Sequence, residues 1–281
     1  MKEKVLLIDT NNLAMRCVFA IQHDIEDTGF VMYKMTFLRS LRKMLNLFNP
    51  NKVIFCMEGG SNWRGEVYSD YKANRAVERK KSYIDFDKFF LENDLFISGL
   101  RDVLTNVQFM KIRELEADDL IAILVKNYPE SDFTLVSSDK DFYQLHSHPN
   151  FKQYEPIKEE YVKVLNPKAS LLEKVVTGDK GDNIPKLKRG VGPKTFETIY
   201  NNGLDEWLEE NDLRDNFDRN YKLISFDMIP QKYISIVKDE YDKFKQIEFN
   251  GKGFYDFLFT NDLSALMSEM NNFISVFTNI K

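Results

Sequence analysis

Blocks of apolar and polar positions follow one another along the chain in an order that predicts strands and helices in turn. Val5-Leu6-Leu7-Ile8 is a short apolar run that stops at Asp9-Thr10-Asn11-Asn12, which predicts a buried strand giving way to a capped helix. Over residues 32–48 the spacing turns helical, since Met35, Leu38, Leu41, Leu45 and Phe48 can share one face. Residues 53–57 predict the next buried strand. The pattern then breaks between Glu58 and Tyr71, where Gly59-Gly60-Ser61-Asn62 reads as a loop. A helix follows over residues 86–104 and a short strand over 107–112. Residues 116–127 predict a second helix, carrying Leu120, Ile121, Ile123, Leu124 and Val125. Residues 133–136 predict another strand, with a helix starting near Asp139.

Strands alternating with helices through two-thirds of a chain predict an α/β fold, with a largely parallel sheet covered by helices on both faces. The last third reads as mostly helical. The expected division is an α/β core over residues 1–165 and a smaller helical module over 166–281. Neither an internal repeat nor a low-complexity linker separates them, so the two are expected to pack tightly.

Composition narrows the class. The 281 residues are 43% hydrophobic, with 23 Phe and 13 Tyr, enough for a sizeable core that takes in most of the aromatic load. Cys17 and Cys56 lie in apolar surroundings without CxxC spacing, which predicts buried thiols in a reducing compartment. The first residues carry too short an apolar run for a signal peptide, and no stretch approaches membrane-spanning length. A soluble cytoplasmic protein is expected, in the host cytoplasm if phage-encoded. The net charge of −5 argues against a protein that simply coats nucleic acid. Local asymmetry matters more: Arg64, Lys72, Arg75, Arg79, Lys80 and Lys81 face three acids between Trp63 and Lys81. Five basic residues face Asp182 alone between Lys180 and Lys194.

Carboxylates fall at telling places. Asp9 follows the first strand and Glu58 the second; Glu116, Asp118 and Asp119 open a helix; Asp139 and Asp141 follow the strand at 133–136. The carboxyl ends of strands in an open α/β sheet form one edge, where ligands bind. Any one of these acids could be a plain helix cap, but together in one cleft they repel one another unless cations neutralise them. Oxygen ligands without His or Cys favour Mg²⁺ or Mn²⁺ over zinc. Two such ions about 4 Å apart can generate a hydroxide and stabilise the leaving oxygen of a phosphodiester. Asp179 and Asp182 add two more acids in the Gly-rich turn Gly178-Asp179-Lys180-Gly181-Asp182-Asn183-Ile184. The histidines His23, His146 and His148 have no metal-like spacing and are given no catalytic role.

These residues resemble the structure-specific 5′ nucleases, a family of flap endonucleases, polymerase 5′-nuclease domains and phage ribonucleases H, and the T-even-phage type of ribonuclease H above all. The motifs that carry the resemblance are Ile8-Asp9-Thr10-Asn11-Asn12, Tyr71-Lys72-Ala73-Asn74-Arg75, Glu116-Ala117-Asp118-Asp119, Ser137-Ser138-Asp139-Lys140-Asp141-Phe142 and the Gly178–Ile184 turn. They run nearly end to end, in order and at the family's spacing. The resemblance implies a PIN-like nuclease core with two divalent ions, Mg²⁺ or Mn²⁺. Asp9, Glu58, Glu116, Asp118, Asp119, Asp139, Asp141, Asp179 and Asp182 are then metal ligands or groups that act through water. Glu58 departs from the family, which usually has Asp there. Residues 64–98 match the family's helical gateway, with Tyr71, Lys72 and Arg75 approaching DNA. Lys72 and Arg75, with Asp118 and Asp139, are the implied catalytic residues. Trp63 at the gateway either stacks on a base or packs.

Lys188-Arg189-Gly190-Val191-Gly192-Pro193-Lys194-Thr195 resembles the family's helix–hairpin–helix element. Its glycines let backbone N–H groups approach a phosphate, and the next helix offers its positive end. In the family this loop often holds K⁺. The resemblance implies 5′→3′ exonuclease and flap endonuclease activity, ribonuclease H activity, branched, flap or nicked DNA and RNA–DNA hybrid as partners, a monomer, and primer removal during replication. The amphipathic segment after Phe226 either completes the fold or carries a partner surface, such as one for a single-stranded-DNA-binding protein. The competing readings are a catalytically weak branched-DNA binding protein of the same fold and a phosphatase of small esters on a similar sheet.

Overall fold

The computed structural model describes residues 2–22 and 29–280, so His23 lies outside the described residues. The chain runs β1 (Lys4–Asp9), α1 (Thr10–Ala20), α2 (Val31–Phe48), β2 (Lys52–Met57), α3 (Arg64–Val67), α4 (Arg75–Arg79), α5 (Phe86–Val103), β3 (Gln108–Lys111), α6 (Ala117–Asn127) and β4 (Asp132–Val136). A 3₁₀ helix (Lys140–Ser147) leads to β5 (Phe151–Glu155) and β6 (Glu160–Tyr161). Helices then follow alone: α7 (Pro167–Thr177), α8 (Pro193–Glu210), α9 (Arg214–Ile224), α10 (Gln231–Lys243), α11 (Gly251–Thr260) and α12 (Met270–Thr278).

The six strands form one sheet in the order β3-β2-β1-β4-β5-β6. All neighbours are parallel except β5 and β6. The chain lays β1, β2 and β3 outward to one side, then returns to place β4 on the other side of β1. Order reverses between β1 and β4, and in such sheets ligands bind at this place, outside the strands' carboxyl ends. The continuous apolar run of β1 follows from this position. Leu6 and Ile8 face one core with Phe37 and Phe55, while Val5 and Leu7 face the other with Leu120 and Leu124 of α6.

The helix expected near Asp139 runs from Lys140 as a 3₁₀ helix, and the Asp139 carboxylate caps it by accepting from the Asp141 N–H at 2.9 Å. Strands β5 and β6 extend the sheet beyond the expected set. Within the expected gateway, α5 turns Phe89, Phe96 and Ile97 into the core, and the segment before it forms an arch. The helices after residue 166 pack in different places. Phe254, Phe257, Phe273 and Phe277 pack into the core beside α2 and α5, and Phe226, Tyr233, Val237 and Tyr241 into the core beside α6. Helices α7, α8 and α9 form a cluster of their own, around Leu172, Val176, Phe196 and Leu208. Amphipathic helices must bury one face, and here the larger apolar surface is offered by the sheet layers. Among the described residues no helix is long and apolar enough to cross a membrane.

Candidate active site

Strand ends deliver the first group of acids. Asp9 is the last residue of β1 and caps α1, its Oδ1 accepting from the Asn12 N–H at 3.0 Å. Glu58 follows β2. Next to it, Gly59 approaches the loop after β3 so closely that a Cβ would lie 1.9 Å from the Ile112 carbonyl oxygen. The Gly59 N–H donates to the Leu115 carbonyl at 2.8 Å. Those contacts bring the loops after β2 and β3 together and set Glu58 near Glu116, the residue that begins α6. Asp139 lies beyond β4 in a loop that buried Gln153 holds, donating to the carbonyls of Ser137 at 2.9 Å and Asp139 at 2.7 Å. His146 sits against the same amide, at 3.2 Å from Gln153 Oε1.

Burial and mutual repulsion raise the affinity of this group for protons. Burial, with the Asp139 charge adding, pushes the Asp9 carboxyl up to about 6. Asp118 is driven well above the usual range by burial and by the charges of Asp9 and Asp139. Glu58 rises to about 7 through burial and the charge of Glu116, with the Asp9 charge adding.

The second group rests on the Gly-rich turn. Asp179 and Ile184 close it with reciprocal backbone hydrogen bonds of 2.8 and 2.9 Å. Gly178 is required there: its φ is +70°, and a Cβ would sit 2.5 Å from the Ile184 carbonyl oxygen. The turn and the 3₁₀ helix bring Asp141, Asp179 and Asp182 together, with one oxygen of each within 4.8 Å of the others. Burial and the Asp139 charge raise Asp141 to about 6, although Lys174 pulls it down. Burial also acts upward on Asp182 and Glu116, but nearby cations outweigh it and hold both below their ordinary values. Those cations are Lys72 and Arg75 at Asp182, and Lys72 and Arg64 at Glu116.

Side-chain cations lie on these acids. Lys72 donates to Glu116, and Arg75 Nη2 to Asp182 Oδ1 at 2.6 Å. The Tyr71 hydroxyl bridges Glu116 Oε2 at 3.0 Å and Asp182 Oδ2 at 3.1 Å. The arch is also tied down by its backbone, the Lys72 N–H donating to the Asp182 carbonyl at 2.9 Å. Behind it a cavity of about 700 Å³ opens between the arch and α1, lined by Asn11, Phe19, Glu58, Arg79 and Phe90 among others.

Asp119 stands apart from the other acids. It is fully buried, and its carboxylate accepts from Arg64 at 2.7 and 2.9 Å and from the Trp63 indole at 3.1 Å. With its oxygens engaged in this way it faces no open site. Trp63, itself buried, therefore packs and does not stack on a base. Arg64 also donates to Glu116 at 3.0 Å and to the Leu223 carbonyl at 2.7 Å, so one guanidinium joins the arch, α6 and α9. Sequence reasoning counted Arg64 only as a gateway charge and missed Lys174, which donates to Asp141 and to Asp179 Oδ2 at 2.6 Å. A lysine on a helix five residues ahead of an acid carries no motif of its own.

The remaining acids fit a divalent metal. They offer only carboxylate oxygens, which suits hard cations, and a lysine ammonium already stands between two of them as a cation would. In the helical module, Val191 is buried and holds the hairpin, while Lys188, Arg189, Lys194 and Thr195 remain exposed around Gly190 and Gly192. Gly192 caps α8, and Gly190 has φ +87°.

Proton linkage gives one expected outcome here. The native values of Asp9, Asp141 and Glu58, about 6 to 7, lie above their ordinary 3.8 and 4.5. The native metal-free protein therefore binds more protons than the unfolded chain between about pH 4 and 7, and these groups lower its stability as pH rises through that window. A divalent ion must displace the same protons. Calorimetry in buffers of different ionisation heat should show clear proton release on ion binding at pH 6 and little at pH 8.5. Equal release at both would contradict the assignment.

Comparison with known proteins places these features. A family model for the 5′-3′ exonuclease N-terminal resolvase-like domain matches residues 4–175. The ribonuclease H of Enterobacteria phage T4 is 29% identical over 298 residues, spanning 97% of this chain and 96% of that protein. A 5′-3′ exonuclease of Bacillus subtilis (strain 168) is 30% identical over 225 residues, 70% of this chain and 71% of its own length. Among solved structures, a flap endonuclease of bacteriophage T5 in a pseudo-enzyme-product complex with DNA and metal ions superposes with a TM-score of 0.65. It is 18% identical and covers 92% of this chain and 99% of that one, a likeness of fold.

Proposed function

Because this chain belongs to the family of 5′-3′ exonucleases with an N-terminal resolvase-like domain, we propose that it is a metal-dependent, structure-specific 5′ nuclease. It hydrolyses phosphodiesters at junctions between single and double strands, as a flap endonuclease and 5′→3′ exonuclease, and acts on RNA–DNA hybrids. Primer removal during replication is the role that fits these substrates, and the core is of the PIN-like kind. The observation that carries this reading is the meeting of two acidic groups at one sheet edge beneath a basic arch, with cations already drawn onto them.

Asp9, Glu58, Asp118 and Asp139 would hold one ion and Asp141, Asp179 and Asp182 a second, with Glu116 beside both. Bound there, Mg²⁺ or Mn²⁺ activates the attacking water and stabilises the leaving oxygen. The protein's own groups do the rest. Lys72 and Arg75 stand where the scissile phosphate must arrive, and their charges stabilise the negative charge that develops. Tyr71 holds Glu116 and Asp182 together, its one O–H shared between the two carboxylates. Lys188, Arg189, Lys194 and Thr195, with the backbone of Gly190, Val191 and Gly192 and the start of α8, grip a duplex backbone without reading bases. A K⁺ ion in that hairpin would suit its carbonyls.

Lys72 tests the arch. Lys72→Ala should slow single-turnover cleavage of a flap substrate on the order of 10²-fold or more, the scale of one lost charge-stabilising donor. The Kd for the flap in Ca²⁺ should change only a few-fold. Equal losses in rate and affinity would mean that Lys72 merely binds.

A further inference from the structure

The second acidic group carries a cation of its own in Lys174. This residue projects from α7, whose next two residues, Val175 and Val176, are fully buried and fix the helix. Its ammonium joins Asp141 of the 3₁₀ helix to Asp179 of the Gly-rich turn, two elements that meet only in the folded chain. The side chain is about one-quarter exposed, so it is neither a solvated surface lysine nor sealed in the core.

Space among these oxygens is limited. Oxygens of Asp141, Asp179 and Asp182 lie within 4.8 Å of one another, the size of a single coordination sphere. A Mg²⁺ ion would take these oxygens at about 2.0–2.1 Å, while the ammonium already sits 2.6 Å from Asp179 Oδ2. Both cations cannot share those oxygens, since they would overlap and repel. Lysine has a flexible four-carbon stem and can withdraw. Lys72 and Arg75 differ in one respect, for they belong to the arch, whereas Lys174 belongs to the helix behind the site.

We propose that Lys174 is a built-in counter-ion of the second metal site, occupying it in the metal-free protein and displaced by the incoming ion, so that this site binds more weakly than the first. The inference rests on the two-ion reading above. Without an ion, Lys174 offsets the repulsion of the three acids and keeps the 3₁₀ helix docked on the turn. With an ion, the same charge is a competitor that binding must remove.

Mn²⁺ binding followed by electron paramagnetic resonance tests this on the full chain. Wild type should take up two ions, the second more weakly. Lys174→Gln should tighten the second by about tenfold, the scale of one partly buried ion pair, and leave the first unchanged. Lys174→Arg, which keeps the charge, should stay near wild type. A second ion bound equally or less tightly by Lys174→Gln overturns the proposal, whereas no Mn²⁺ uptake by wild type overturns the two-ion reading itself. Should Lys174→Gln not fold, wild type suffices. Acylation of Lys174, mapped by mass spectrometry, should rise as Mn²⁺ is added, and unchanged or reduced labelling overturns the proposal.

Discussion

Asp139→Asn lowers single-turnover flap cleavage in Mg²⁺ by roughly a thousandfold while leaving flap binding in Ca²⁺ near wild type. Asp139 stands in the loop just beyond β4, across the switch point from Asp9, and its charge acts on Asp9, Asp118 and Asp141 alike. Its charge thus reaches both acidic groups. Asparagine keeps the shape and still accepts from the Asp141 N–H, as a good cap does, so the 3₁₀ helix is retained. What disappears is one negative charge at the centre of the site. A variant that cleaves within a few-fold of wild type would remove Asp139 from the chemistry.

Arg64→Ala lowers folding stability by about 3–5 kcal/mol, the cost of leaving a buried carboxylate without its partner. Arg64 is 3% exposed and Asp119 fully buried, so water cannot replace the guanidinium. Glu116 loses a partner at the same time, and the Leu223 carbonyl loses its donor. Urea denaturation of the metal-free protein measures the loss. A cost below about 1 kcal/mol would show that the network is only a surface ion pair. Lys72→Ala, by contrast, should be far less destabilising, because Lys72 is partly exposed and its backbone tie to Asp182 remains.

Much of this site could be read from the chain. Carboxylates such as Asp9 and Glu58 announce themselves because a short apolar run ends on each, and such runs are what a strand buried on both faces requires. The Gly178–Ile184 turn is equally legible, since its glycine supplies a positive φ that the fold demands. Other parts depend on which surfaces meet. Asp119 resembles its neighbour Asp118 in sequence, yet one step along the helix directs it into the core and onto Arg64. Lys174 looks like any lysine on an amphipathic helix until α7 packs against the 3₁₀ helix. Strand β5 hides because Gln153, a polar residue, points inward to serve the Asp139 loop. In the C-terminal helices, periodicity shows that one face is buried without showing against what. Phe254 and Phe277 join the sheet core, a pairing set by contacts far apart in sequence.

Cleavage of a 5′-labelled flap duplex, in Mg²⁺ and in EDTA, tests the central claim most directly. Cutting near the junction or from the 5′ end, present in Mg²⁺ and abolished by EDTA, is the predicted result. Tight flap binding with no cutting in either Mg²⁺ or Mn²⁺ would contradict it and leave a protein that recognises branched DNA without hydrolysing it.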